Sequence, residues 1–214
     1  MCHCIGISVS FWFDRYQISL DNIDREKEVI SELATELNLI QSTVENRENA
    51  FTFDLENLTM IINDSLQTAN FTYPQLLIAT TDYRGFSPSE EIYTSLKYDG
   101  GLKFIRFNSI KIAIESLYNG TKYGVIANME DEIVVQRDVL KYIQYNYPKL
   151  LVDIEKMEIA ESRKISIFAE IVQKDKTLKS LLTSKHRFMK NKLRFLQDYK
   201  NSLSLLMNLL QVSY

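Results

Sequence analysis

From Lys149 to Tyr214 the chain contains neither glycine nor proline: all six glycines lie at or before Gly124, and the last proline is Pro148. With both strong helix breakers missing, this final third is free to be helical throughout, and its apolar residues decide which side is buried. Ile154, Met157, Ile165, Phe168, Val172, Leu178, Leu182, Met189, Leu193, Leu196, Leu203, Leu206 and Leu210 recur mostly at spacings of three or four, the pattern of one helix face. The polar run Gln173 to Thr177 interrupts the stripe. The spacing therefore predicts a helical hairpin, or one long helix with a local change of face, rather than a strict coiled coil.

Charge divides the chain at the same place. Before Lys174, 16 Lys/Arg stand against 26 Asp/Glu, a net of −10; from Lys174 to Lys200, nine cations stand against Asp175 and Asp198, a net of +7. Residues 201–214 carry no charged side chain. An acidic body joined to a basic segment points to self-association or to a polyanionic partner.

The first 147 residues read as a second region, a mixed α/β body followed by the 149–214 arm. Cys4 to Phe13, Leu76 to Tyr83, Leu102 to Phe107 and Lys122 to Ala127 are short runs rich in β-branched and aromatic residues, which predict strands, with Ala50 to Phe53 as a shorter one. Helices are expected between them. One carries Val29, Leu33, Leu37 and Ile40; a second is capped by Asp54 and carries Leu55, Leu58, Ile62 and Leu66 before ending near Asn70. A third opens on the capping box Ser87-Pro88-Ser89-Glu90 and stops at Gly100-Gly101; a short one, Ile110 to Leu117, is closed by Gly120. Asn128 and Asp131 cap the last, which ends before Pro148. The expected fold class is α+β: a small mixed β-sheet covered by helices, then a long helical C-terminal arm.

Only two cysteines are present, Cys2 and Cys4, too close to staple a fold. No apolar run approaches the ~20 residues that cross a bilayer, so a cytoplasmic protein with no membrane contact is expected. Cys2-His3-Cys4 on a strand would point its thiols and imidazole to opposite faces, which does not surround a zinc ion. Asp82, Glu90, Glu91 and Asp99 lack an Asp/Glu-x-Lys partner element for a metal-dependent nuclease. The loop Tyr83 to Ser89 lacks the glycines and lysine of a phosphate loop. No metal, cofactor or catalytic residue is assigned on these grounds.

Met1-Cys2 with Ile5-Gly6 resembles the start of the N-terminal-nucleophile glutamine amidotransferases. The resemblance implies removal of Met1 and a Cys2 nucleophile using its own amine as base, in a hydrolase or amidotransferase. That family's early arginine-glycine-aspartate element has no counterpart at a matching place. Arg84-Gly85 comes late and without the aspartate, and Asn119-Gly120 stands where a helix cap is expected.

Two functional expectations remain. In the first, the chain is an accessory subunit of a larger assembly, docking on a protein partner or its own twin through the uncharged end of the arm, with Leu203, Leu206, Met207 and Leu210 as the contact. In the second, Lys185, Arg187, Lys190 and Arg194 form a basic ridge over the apolar stripe that contacts nucleic-acid backbones or an acidic protein.

Overall fold

The computed structural model describes the backbone of residues 2–65 and 71–213, and the side chains among them from Arg15 onward, except those of Glu155 and Ser213. The sequence expectations at Leu66 and Asn70, and those for the side chains of Cys2, His3 and Cys4, lie outside what is described. The elements in order are α1 (Cys2–Ile62), α2 (Tyr73–Thr81), α3 (Glu91–Tyr98), a 3₁₀ turn (Gly101–Phe104), α4 (Asn108–Glu115), a π-helical turn (Ser116–Thr121), α5 (Lys122–Asn146), α6 (Lys149–Lys156), α7 (Glu161–Lys174) and α8 (Lys176–Ser213).

Among the described residues there is no strand, so the expected α+β fold with a mixed sheet is corrected to an all-helical one. The predicted strands were short apolar runs, and such runs do not distinguish a strand from a buried piece of helix. In α2, Tyr73, Leu76, Ala79 and Thr80 are buried at helical spacing. Its β-branched end is held in helix by hydroxyls that donate to the preceding turn, Thr80 Oγ1 to Leu76 O and Thr81 Oγ1 to Leu77 O, both at 2.8 Å. A capping box starts it, with Thr72 and Gln75 bonding reciprocally around Pro74. Ala50 to Phe53 and Asp54 lie inside α1, and Lys122 to Ala127 form the first turns of α5. Leu102 to Phe107 begins as the 3₁₀ turn, entered through Gly100 at φ 71°. Gly120 sits in the π-helical turn, through which the chain passes directly into α5.

The two longest helices share one sequence rule. On α8 the buried positions are Leu178, Leu182, Lys185, Met189, Lys192, Leu196, Tyr199, Leu203, Leu206 and Leu210, separated by four and three residues in strict alternation. That is a heptad seam, which the reading of Lys149–Tyr214 did not anticipate because two of its positions are lysines. On α1, Glu26, Ile30, Leu33, Leu37, Ile40, Val44, Phe51, Asp54, Leu58 and Ile61 follow the same alternation, with half-buried Arg47 filling the gap. Here three seam positions are charged, Glu26, Arg47 and Asp54.

The chain forms two compact units, and α1 and α8 each contribute to both. The first comprises Met1–Ser42, Pro88–Gly120 and Asn201–Tyr214; the second comprises Thr43–Ser87 and Thr121–Lys200. Buried side chains of the first unit include Leu33, Leu37, Ile40, Ile105, Ile110, Ile114, Leu117, Leu203 and Leu206. Two buried carboxylates on α1 fasten the intervening segment. Glu36 accepts from the backbone N–H of Ile92 at 2.7 Å and of Tyr93 at 3.2 Å, and from the Tyr118 hydroxyl at 2.5 Å. It thereby caps α3, which begins at Glu91 with no local side-chain cap and not at Pro88 as the Ser87–Glu90 box predicts. Tyr93 and Tyr118 stack at 4.0 Å beside it. Glu26 accepts from Arg106 N at 2.7 Å and pairs with Arg106 Nε.

The second unit is a helical bundle with one large apolar cluster. Leu58, Ile61, Tyr73, Leu76, Val139, Ile143, Leu150, Ile154, Ile165, Phe168, Val172, Leu178, Leu182 and Met189 are buried in it. Phe168 meets Tyr73 edge to face at 6.5 Å, and the Tyr73 hydroxyl donates to Leu150 O at 2.6 Å. Within the unit α8 runs antiparallel to α1: Lys200 pairs with Glu48, whereas His186, further back along α8, reaches Thr59. It runs antiparallel to α5 as well. Gly124 lies so close to Phe195 that a Cβ would sit 3.1 Å from its ring, while at the other end Tyr142 and Tyr147 donate to Asp175 at 2.9 and 2.6 Å.

Candidate polyanion interface on helix α8

The heptad sorts the cations of α8. Lys185 and Lys192 occupy seam positions and are each 1% exposed. Lys185 Nζ donates to Thr80 O at 3.2 Å and to Asp82 O, the carbonyls at the C-terminal end of α2, which have no helical partner of their own. Burial pushes its pKa down to about 8, against the pull of Glu132. Lys192 forms a buried ion pair with Glu132 and lies 4.1 Å from the centroid of the Phe51 ring. Its pKa is also lowered by burial, with Glu132 opposing. Both lysines belong to the interior of the second unit.

Lys179 and Lys200 are half-buried and held by Gln173 and Glu48, and the other four cations face outward. Lys176, Arg187, Lys190 and Arg194 are exposed, and Ser180 and Thr183 complete their line at spacings of four and three. None of the four holds an ion pair with a described residue, although Arg194 lies over the neighbouring Phe195 ring at 4.9 Å. From Lys176 to Gln197 the sequence has no Asp or Glu. At 1.5 Å per residue the line from Lys176 to Arg194 extends about 27 Å. Of the expected contact residues, then, Arg187, Lys190 and Arg194 share this outer face, and Lys185 does not. Lys176 joins it, in line with Ser180 and Thr183.

The expected partner contact at the end of α8 is placed differently. Leu203, Leu206 and Leu210 continue the buried seam and Met207 is half-buried, leaving Leu205 and Val212 exposed there. Carboxylates do not assemble elsewhere: among the described residues no group of three or more His, Cys, Asp or Glu side chains is placed to hold a metal ion. The 83–89 loop commits its guanidinium internally. Arg84 makes a two-point pair with Asp54, at 2.5 and 3.1 Å, and that hydrogen bond raises the arginine pKa. Among the described residues, no helix is long and apolar enough to cross a membrane.

No family model, curated protein or solved structure matches this chain.

Proposed function

We propose that the chain is a cytoplasmic accessory subunit that binds the phosphate backbone of nucleic acid along the outer face of α8, without reading base sequence. The observation that carries this is the unpaired line Lys176, Arg187, Lys190 and Arg194 on a helix face free of carboxylates. Cations already bound to protein acids gain little from a phosphate, whereas unpaired ones displace the counterions condensed on the polymer. The buried seam opposite fixes which side of the helix faces outward. Binding is expected to weaken with salt, with a log-log slope of about −3 on duplex DNA for three to four phosphate contacts. Arg187→Glu/Lys190→Glu/Arg194→Glu should abolish a gel shift while leaving the helical circular dichroism spectrum intact. A salt-independent shift, or no shift by the native chain, sinks the proposal.

The charge segregation, −10 before Lys174 and +7 from there to Lys200, favours one further reading. In it, the same face meets an acidic protein surface, including that of a second copy. Light scattering at low and high salt separates the two: a salt-sensitive dimer that the triple variant disrupts, together with no nucleic-acid shift, supports the protein partner.

A further inference from the structure

We infer that the first unit holds a separate binding cleft for a phosphorylated small molecule with an apolar or aromatic body. Arg15, Ile18, Ser19, Asn22 and Ile23 lie on one face of α1 and, with Lys103, Phe104 and Arg106, line a cleft of 540 Å³. That volume suits a small ligand. The described lining has two cations without a described ion-pair partner, Arg15 and Lys103, and a third, Arg106, paired with Glu26. Two neutral hydrogen-bonding side chains and three apolar residues complete it, with no carboxylate among the described residues. Arg106 is oriented by buried Glu26, yet its side chain remains 61% exposed.

The side of the cleft bearing Lys103 and Arg106 is held in place before any ligand arrives. Gly100 takes φ 71°, and at Gly101 a Cβ would lie 2.7 Å from Leu96 Cδ2, so the 3₁₀ turn starts where only glycine fits without displacement. At its far end Ile105 is fully buried and Arg106 N–H is bound to Glu26 at 2.7 Å. An anchored backbone removes the main-chain part of the ordering cost for these two cations. Lys103 is further restrained over the Phe104 ring, 5.0 Å from its centroid.

The chemistry of the lining selects the ligand class. Several cations with Ser19 and Asn22 suit a group carrying several anionic oxygens, which a phosphate or polyphosphate supplies. Ile18, 59% exposed, and half-buried Phe104 are apolar surface that an inorganic ion leaves unused. The cleft rests on first-unit residues alone and is independent of the α8 proposal.

The test uses the full chain carrying Arg187→Glu/Lys190→Glu/Arg194→Glu, so that α8 does not contribute, titrated by calorimetry at low salt with ATP and with tripolyphosphate. ATP is expected to bind, and tripolyphosphate to bind several-fold more weakly. Adding Arg15→Glu/Lys103→Glu should weaken ATP by about tenfold or more, whereas Lys111→Glu, an exposed charge reversal on α4 away from the lining, should leave it unchanged. Because Arg15 and Lys103 are exposed and hold no ion pair with a described residue, a matching thermal melt is expected and verifies the fold. Absence of ATP binding, or equal losses with Lys111→Glu, overturns the site. Equal affinities for ATP and tripolyphosphate overturn its apolar half.

Discussion

The two units fasten their short helices with opposite charges: Glu36 meets the start of α3 in the first, and Lys185 the end of α2 in the second. In the first, the buried charges on α1 are carboxylates, Glu26 on the seam and Glu36 beside it, and their partners include backbone N–H groups of the 88–120 segment. In the second, the α8 seam buries lysines, Lys185 and Lys192, and their partners are helix-end carbonyls and Glu132. The difference follows from which helix terminus each must satisfy. The start of α3 offers unpaired N–H donors and calls for an anion, whereas the end of α2 offers carbonyls and calls for a cation. Each unit thus uses a long helix as a post whose seam charges fix the short helices around it.

The largest effect is expected where a charge has a charged partner in the dry interior. Lys192→Met leaves Glu132 buried and uncompensated, and should cost about 3–5 kcal/mol in denaturant unfolding. Glu132→Gln/Lys192→Met should recover much of that loss. If the double variant is as unstable as the single one, the pair is not the cause and the contrast between the units weakens.

The first unit's counterpart is Glu36→Ala, which leaves the Ile92 and Tyr93 amides and the Tyr118 hydroxyl without their acceptor. The loss should be about 1.5–3 kcal/mol, as for hydrogen bonds to a charged group. Hydrogen exchange should quicken first at Ile92 and Tyr93. Unchanged protection there would mean that α3 is capped by something else.

A smaller effect of opposite sign is expected at Asn57, in the second unit, whose Nδ2 is buried without a partner. Asn57→Leu removes an unsatisfied donor and should raise the unfolding midpoint, by about 1 kcal/mol in stability. A loss would instead reveal a partner for the amide.

The pH response sharpens the same contrast, because the shifted groups lie in the second unit. Burial, followed by nearby Lys190, lowers the His186 pKa below 6.5, so the unfolded chain takes up the proton first and stability falls as pH drops through that value. Glu161 is lowered chiefly by its bond from Tyr73 N–H and then by Lys164. For Asp175 burial acts upward, but hydrogen bonds from Tyr147, Leu178 N–H and Tyr142 outweigh it and the net shift is downward. These two stabilise the fold above the ordinary carboxylate range and lose that contribution as pH falls below it. At the alkaline end, the bond to Asp175 pushes Tyr147 up to about 12, so its contribution is complete below pH 10 and is lost between 10 and about 12. A thermal-melt profile flat from pH 4 to 7 would contradict the assignment at His186.

The helical nature of Lys149–Ser213 was legible because it depends on local properties: no breaker, and an apolar residue every third or fourth position. The start of α2 carried a local signal, the capping box Thr72-Tyr73-Pro74-Gln75, but the run Leu76 to Tyr83 read as a strand. The outer line on α8 could be seen at Arg187, Lys190 and Arg194. Had the heptad been followed through its charged positions, Lys185 and Lys192 would have fallen on the inner face and Lys176 on the outer one. Glu26 falls on the α1 alternation in the same way, but Glu36 lies off it and gave no such signal. A glutamate there is an ordinary surface residue until a segment 56 positions away delivers its donors.

By itself, then, the sequence determined that the chain beyond Lys149 is helical and which spacing marks its buried side, since both are consequences of backbone geometry within a few turns. Only the tertiary structure decided which charges the seams enclose, that the apolar runs of the first 147 residues are helix, and that Leu203, Leu206 and Leu210 are covered by the chain itself. Those outcomes depend on groups distant in sequence, because a buried charge or an all-apolar run takes its place from the partners brought to it, and a local pattern does not contain them.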